Sequence, residues 1–189
     1  MAGKKIGILA MQGAFLEHQQ ALSRCGAEPV QVRTARDLET VDGLIIPGGE
    51  STTIGKLMKL FGLDDLITER VKAGMPVWGT CAGMILLAKE IAESEQPRLG
   101  LMDIKVKRNA YGRQVESFET DLDIAGIGKT RGVFIRAPYV ETVWGEAKVL
   151  STHLDKIIMV QQGNNMLGTA FHPELTNELD VHKYFLAMA

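Results

Sequence analysis

The sequence predicts a three-layer α/β fold, with a mostly parallel central sheet, helices on its faces and an antiparallel extension. Three observations predict it. Short, nearly all-apolar runs such as "KIGILAM" and "MPVWGT" read as strands buried on both faces, as in a covered parallel sheet. In the first half these runs alternate with helically spaced ones, and a β-α-β-β-α-β-α order is the pattern of such a sheet. The second half shows short, partly alternating runs between turn residues, which is the pattern of antiparallel strands.

Residues 5–11 read as the first strand. Residues 15–25 place Phe15, Leu22 and Cys25 at helical spacing, and Gly26 stands where a helix stops. "EPVQVR" is a second strand. Residues 43–46 form a third, followed by the turn "PGGEST". Residues 52–60 and 63–73 read as helices, "MPVWGT" as a strand and 82–91 as a further helix. "MDIKVKRN", "RQVESFET", "GVFIRAP", "AKVLST", "KIIMVQQ" and "MLGTAF" supply the antiparallel strands, and a helix over about 178–188 closes the chain. No repeat, low-complexity stretch or linker interrupts the sequence, so residues 1–189 read as one domain.

The bulk properties exclude several function classes. With 46% hydrophobic and 23% charged residues the chain has an ordinary globular balance. A net charge of -2 without a basic stripe argues against a nucleic-acid binder. The longest uncharged run, residues 74–88, falls short of the roughly 20 apolar residues that span a bilayer. The N-terminus reads as a first strand, not a signal peptide. Cys25 and Cys81 cannot build a disulfide framework and lack metal-site spacing, so no metal and a reducing, cytoplasmic setting are expected.

Gly79-Thr80-Cys81-Ala82-Gly83 has the G-x-nucleophile-x-G form of a strand-to-helix elbow. Such a turn strains the backbone at its centre and lifts that side chain clear of the sheet. Glycines two residues either side let strand and helix approach without Cβ clashes. The unpaired N–H groups and dipole of the following helix favour a thiolate, the reactive form. The Ala82 N–H is a candidate oxyanion donor. The alternative for this motif alone is a buried cysteine in a glycine-rich packing turn.

A thiolate nucleophile needs a base. In "AFHPELT", Pro173 pushes His172 towards an extended conformation, where residues two apart share a side. Glu174 then accepts a hydrogen bond from the His172 ring, the arrangement of a catalytic triad. Without Cys81 the plainer reading is a strand end with an incidental histidine. His18 and His182 fall on predicted helices among polar neighbours and read as solvated. His153 stands in a turn and joins no constellation, and Cys25 reads as a small packed side chain. "PGGEST" follows a buried strand, at the carboxyl edge where α/β proteins hold ligands. Its paired glycines can turn N–H groups to an anion, and Glu50, Ser51 or Thr52 can cap the next helix. A plain glycine turn with a capped helix is the alternative. The phosphate-loop pattern is absent.

The ordered set "PGGEST", "GTCAG" and "FHPE" resembles the class I, triad-type glutamine amidotransferases, with their flavodoxin-like fold. "AMQGAFLEH", "WGTCAGMILLAKEI", "KRNAYGRQVESFE", "GVFIRAP" and "FHPELT" are similar to the glutaminase subunits of pyridoxal 5'-phosphate synthases, nearly end to end. The resemblance implies that Cys81 attacks the side-chain amide of L-glutamine and forms a glutamyl thioester, that His172 shuttles the proton and that Glu174 holds the imidazole. It implies that Gly49, Glu50 and Ser51 bind glutamine, and that the Gly48-Gly49 peptide and the Ala82 N–H form the oxyanion hole. Arg108, Ile135 and Arg136 match glutamine-contacting positions, and Gln12 matches a glutamine near the active site and the partner surface. For either arginine, sequence alone favours a surface salt bridge. The implied partner is a (β/α)₈-barrel synthase subunit that receives the ammonia to make pyridoxal 5'-phosphate. The implied glutaminase needs no cofactor of its own, and it is poorly active until docked because the oxyanion peptide must reorient. The alternatives are the same hydrolysis serving another synthase, and a cysteine-based redox or partner-binding module.

Overall fold

The computed structural model describes residues 3–108 and 117–189. The centre of "KRNAYGRQVESFE" and the start of the strand expected at "RQVESFET" lie outside the described residues. Strands β1 (Lys5–Leu9), β2 (Glu28–Val32), β3 (Gly43–Ile46) and β4 (Val77–Thr80) are the expected parallel strands. Every residue of β3 and β4 is buried, so both sheet faces are covered there.

Helix α1 (Phe15–Arg24) ends as anticipated. Gly26 takes φ 79°, and the Ala27 N–H donates back to the Leu22 carbonyl at 3.1 Å. A short helix, α2 (Ala35–Glu39), was not expected. Thr34 and Asp37 form its capping box, with aspartate in the place where glutamate is usual. Helices α3 (Ser51–Leu60) and α4 (Leu63–Lys72) agree with the sequence to within a residue.

The helix expected over 82–91 is cut short. Helix α5 covers Ala82–Leu87, and Ala88–Ile91 forms strand β5 beside β6 (Met102–Lys107). "AKEI" favours a helix by propensity, but pairing to β6 and the Ala92 N–H bond to the Val106 carbonyl (2.8 Å) prevail.

The second half needs two corrections. Strands β7 (Ser117–Ile124) and β8 (Gly128–Ile135) form a separate two-stranded ribbon rather than extending the main sheet. Strand β12 (Met166–Thr169) pairs antiparallel with β11 (Lys156–Gln162) but parallel with β4, so it closes the parallel block. The antiparallel extension continues through β9 (Tyr139–Val143), with β10 (Ala147–His153) alongside β11. The sheet order is β2-β1-β3-β4-β12-β11-β9-β6-β5. Helix α6 (Asp180–Met188) ends the chain.

Registers Ile46↔Gly79 and Thr169↔Thr80 bring the carboxyl ends of β3, β4 and β12 to one edge. "PGGEST", Cys81 and "FHPE" leave the sheet there, side by side. Among the described residues, no helix is long and apolar enough to cross a membrane.

Candidate active site

Cys81 adopts φ 50° and ψ -101°, a left-handed strain uncommon for a residue with a side chain. It is held from both directions. Its N–H donates to the Thr169 carbonyl at 2.7 Å, and its carbonyl accepts from the Ile85 N–H at 3.2 Å. The flanking glycines have the anticipated purpose. A Cβ on Gly79 would overlap the Gly83 backbone, and one on Gly83 would overlap the Ile46 carbonyl. Helix α5 therefore closes on β4 only if position 79 lacks a side chain, and on the end of β3 only if position 83 does.

His172 does not sit in an extended run with Glu174, as expected. It precedes a single 3-10 turn, Pro173–Leu175, and that turn brings the carboxylate back under the ring. The outcome is the predicted pair: His172 Nδ1 donates to Glu174 Oε1 at 2.7 Å. The His172 backbone N–H donates to the Val133 carbonyl at 2.8 Å, which ties this turn to the β7–β8 ribbon. Burial alone would lower the His172 pKa, but hydrogen bonds to Cys81 and Glu174 outweigh it and raise it to about 10. Burial would raise the Glu174 pKa, yet the facing His18 and His172 rings hold it below the usual value.

A cavity of about 440 Å³ opens over Cys81 and His172. Gly48, Gly49, Glu50, Ser51, Ala82, Arg108, Ile135 and Arg136, all singled out from sequence, line it. Gly48 must be glycine, because a Cβ there would overlap the His172 ring. The Gly48 carbonyl accepts from the Ala14 N–H at 3.0 Å, so in this trans peptide the Gly49 N–H points the opposite way. Gln12 lies behind the wall, where its Oε1 accepts from the Glu50 N–H at 2.8 Å. Glu50 caps α3 through the Thr52 and Thr53 N–H groups, and the Thr53 hydroxyl, with these N–H bonds, outweighs desolvation and lowers its pKa to about 2. Arg108 forms a long ion pair with Glu50 (3.9 Å) and donates to Gln96 Oε1 at 2.9 Å.

The sequence reading missed Gln96. Its Oε1 also accepts from Ser51 and Thr52, so one buried amide joins the start of α3 to Arg108. It also misjudged two histidines. His18 and His182 are fully buried, not solvated. His18 Nδ1 lies 3.0 Å from His182 Nε2, and His18 Nε2 lies 3.2 Å from Thr80 Oγ1. A signal was present: His18 stands three residues after Phe15 and four before Leu22, on the apolar face of α1. His153 ends β10 and stacks on Phe118 and Phe134, away from the cavity. Cys25 caps α1 and takes no part in the site. Among the described residues, no three His, Cys, Asp or Glu side chains group to hold a metal.

This arrangement can carry out acyl transfer, with a strained thiol, a paired imidazole and backbone N–H groups around one cavity. The profile of the SNO glutamine amidotransferase family matches residues 8–189. The chain belongs to that family. It is 58% identical over 185 residues to pyridoxal 5'-phosphate synthase subunit PdxT of Desulforamulus reducens, covering 97% of this chain and 98% of the relative. It is 59% identical over 184 residues to the PdxT of Pelotomaculum thermopropionicum, covering 96% and 93%. A crystal structure of a glutamine amidotransferase superposes with a TM-score of 0.93 at 50% identity, covering 97% of both chains.

Proposed function

We propose that this chain is a single glutaminase domain that hydrolyses L-glutamine to L-glutamate and ammonia within a pyridoxal 5'-phosphate synthase. The observation that carries the reading is the convergence of Cys81, the His172–Glu174 pair and "PGGEST" on one cavity, at the ends of three adjacent strands. The near full-length likeness to subunits named PdxT supports the pathway.

In this mechanism Cys81 Sγ attacks the amide carbon of the glutamine side chain, and the Gly49 and Ala82 N–H groups receive the negative charge on its oxygen. His172 gives its proton to the departing ammonia and leaves a glutamyl thioester. It then takes a proton from water, which attacks the thioester and frees glutamate and the thiol. Glu174 orients the ring and stabilises its protonated form. Glu50, Ser51, Arg108, Ile135 and Arg136 hold glutamine, with Gly48 supplying the turn. Hydrolysis of this kind uses no cofactor.

The partner is a (β/α)₈-barrel synthase subunit, which receives the ammonia. Gln12 and Ala14 brace "PGGEST" from the first loop, so a partner touching that loop acts directly on the oxyanion peptide. A cytoplasmic setting suits the free thiols of Cys25 and Cys81.

Ammonia release from glutamine, assayed with and without the barrel subunit, tests the proposal. The partner is expected to stimulate the rate strongly. Cys81→Ala is expected to abolish it while leaving complex formation intact. Glutamine hydrolysis retained by Cys81→Ala would remove the nucleophile from the mechanism.

A further inference from the structure

Glu174 is completely buried, and only one of its oxygens is satisfied by the proposed triad. Oε2 lies on the far side, buried and without a partner at hydrogen-bonding distance. His18 Nε2, from helix α1, faces it at 3.5 Å. His18 is itself fixed: its Nδ1 is 3.0 Å from His182 Nε2, and the Trp78 ring lies edge-on to both imidazoles. We infer that His18, held by His182 and Trp78, is a positioning residue that steers the far oxygen of Glu174 so that the near one meets His172.

The tautomers follow from the chemistry of the partners. An ionised carboxylate only accepts, so His18 Nε2 must carry the ring proton that faces it. His18 Nδ1 is then a lone pair, and His182 Nε2 must donate to it. That leaves His182 Nδ1 as a bare acceptor, and it is buried without a partner. The opposite tautomer of His18 would set a lone pair against a buried negative charge, which is costly at low dielectric.

Both rings are kept neutral, chiefly by burial. Glu174 and Glu17 pull the His18 pKa up and His172 pushes it down, and the net shift is downward. His182 is lowered to about 3, with His18 and Arg24 adding to burial and Glu174 opposing it. Glu174 Oε2 thus faces the polar N–H of His18 at 3.5 Å without a second full positive charge, which would oppose protonation of His172 during the reaction. Thr80, also within reach of His18 Nε2, directly precedes Cys81, so one imidazole borders the supports of both nucleophile and base.

The inference rests on the glutaminase reading, and its test has one arm that needs no activity. Nitrogen-15 NMR of the full wild-type chain is expected to show His18 neutral and protonated at Nε2. A His18 ring protonated at Nδ1 overturns the inference, even where every variant fails to fold. In the complex with the barrel subunit, His18→Phe is expected to lower kcat about 10- to 100-fold, the range for a hydrogen bond to a charged group, with KM within about 2-fold. His18→Gln, which keeps a donor at similar reach, is expected to recover most of the loss. Wild-type kcat in His18→Phe, or a glutamine variant no better than phenylalanine, overturns it. No ammonia release by the wild-type complex defeats the glutaminase reading instead, and the NMR arm tells the two failures apart.

Discussion

Glu174 divides two histidine environments that are almost equally buried and electrostatically opposite. On the cavity side, His172 is raised to about 10, because Cys81 and Glu174 outweigh the effect of burial. On the core side, His182 is lowered to about 3, because burial dominates and its nearest neighbour is another imidazole. Burial by itself therefore does not decide a histidine's charge. The direct partner does, and the front ring has the acidic partners while the rear ring has none at hydrogen-bonding distance.

The largest test of this contrast is His172→Ala in the complex. Loss of the general acid and base is expected to cost about 1000-fold in kcat, about 4 kcal/mol of transition-state stabilisation. A near-wild-type rate would remove His172 from the chemistry and leave the front pair a structural one.

The next test concerns the rear pair. In the folded chain His182 takes up a proton only near pH 3, against 6.5 for an ordinary histidine. Between these values the unfolded chain binds more protons, so its stabilising contribution is complete above pH 6.5 and is lost as pH falls. By about pH 4.5 this loss reaches roughly 2–3 kcal/mol. Urea unfolding from pH 7 to 4.5 should fall less steeply for His182→Gln than for wild type, whatever the offset between them. Parallel slopes would show that His182 is not held neutral by the fold.

The smallest effect belongs to a charge at the rim. The Arg108 side chain is 35% exposed, and Arg108→Ala is expected to raise KM about 10-fold with kcat within about 2-fold, as for uniform substrate binding. An unchanged KM would return Arg108 to the surface ion pair that sequence alone favoured. Its role would then be limited to the Glu50 contact at 3.9 Å and the hydrogen bond to Gln96.

Particular residues show how far the sequence could be read. Gly79 and Gly83 announced the elbow because a close backbone approach leaves a compositional mark at fixed spacing. "FHPE" announced its pair for a similar reason, although a 3-10 turn rather than an extended run delivers it. "AKEI" misled because its helix propensity is local, whereas its strand partner lies more than ten residues further on. His18 misled because the polar residues around it obscured an apolar face that it shares with Phe15 and Leu22. Gln96 left no mark at all, since its three donors come from two other segments of the chain.

The sequence by itself determined the α/β class, the elbow at Cys81, the glycine turn after β3 and the pairing of His172 with Glu174. Each depends on residues within a few positions of one another, so backbone geometry and residue type suffice. Only the tertiary structure decided that β12 joins the parallel block beside β4, which sets His172 next to Cys81 across some ninety residues of chain. It alone decided that two histidines from opposite ends of the chain meet in the core behind Glu174. Those choices follow from register and burial, which are properties of the whole packed sheet and of no short stretch within it.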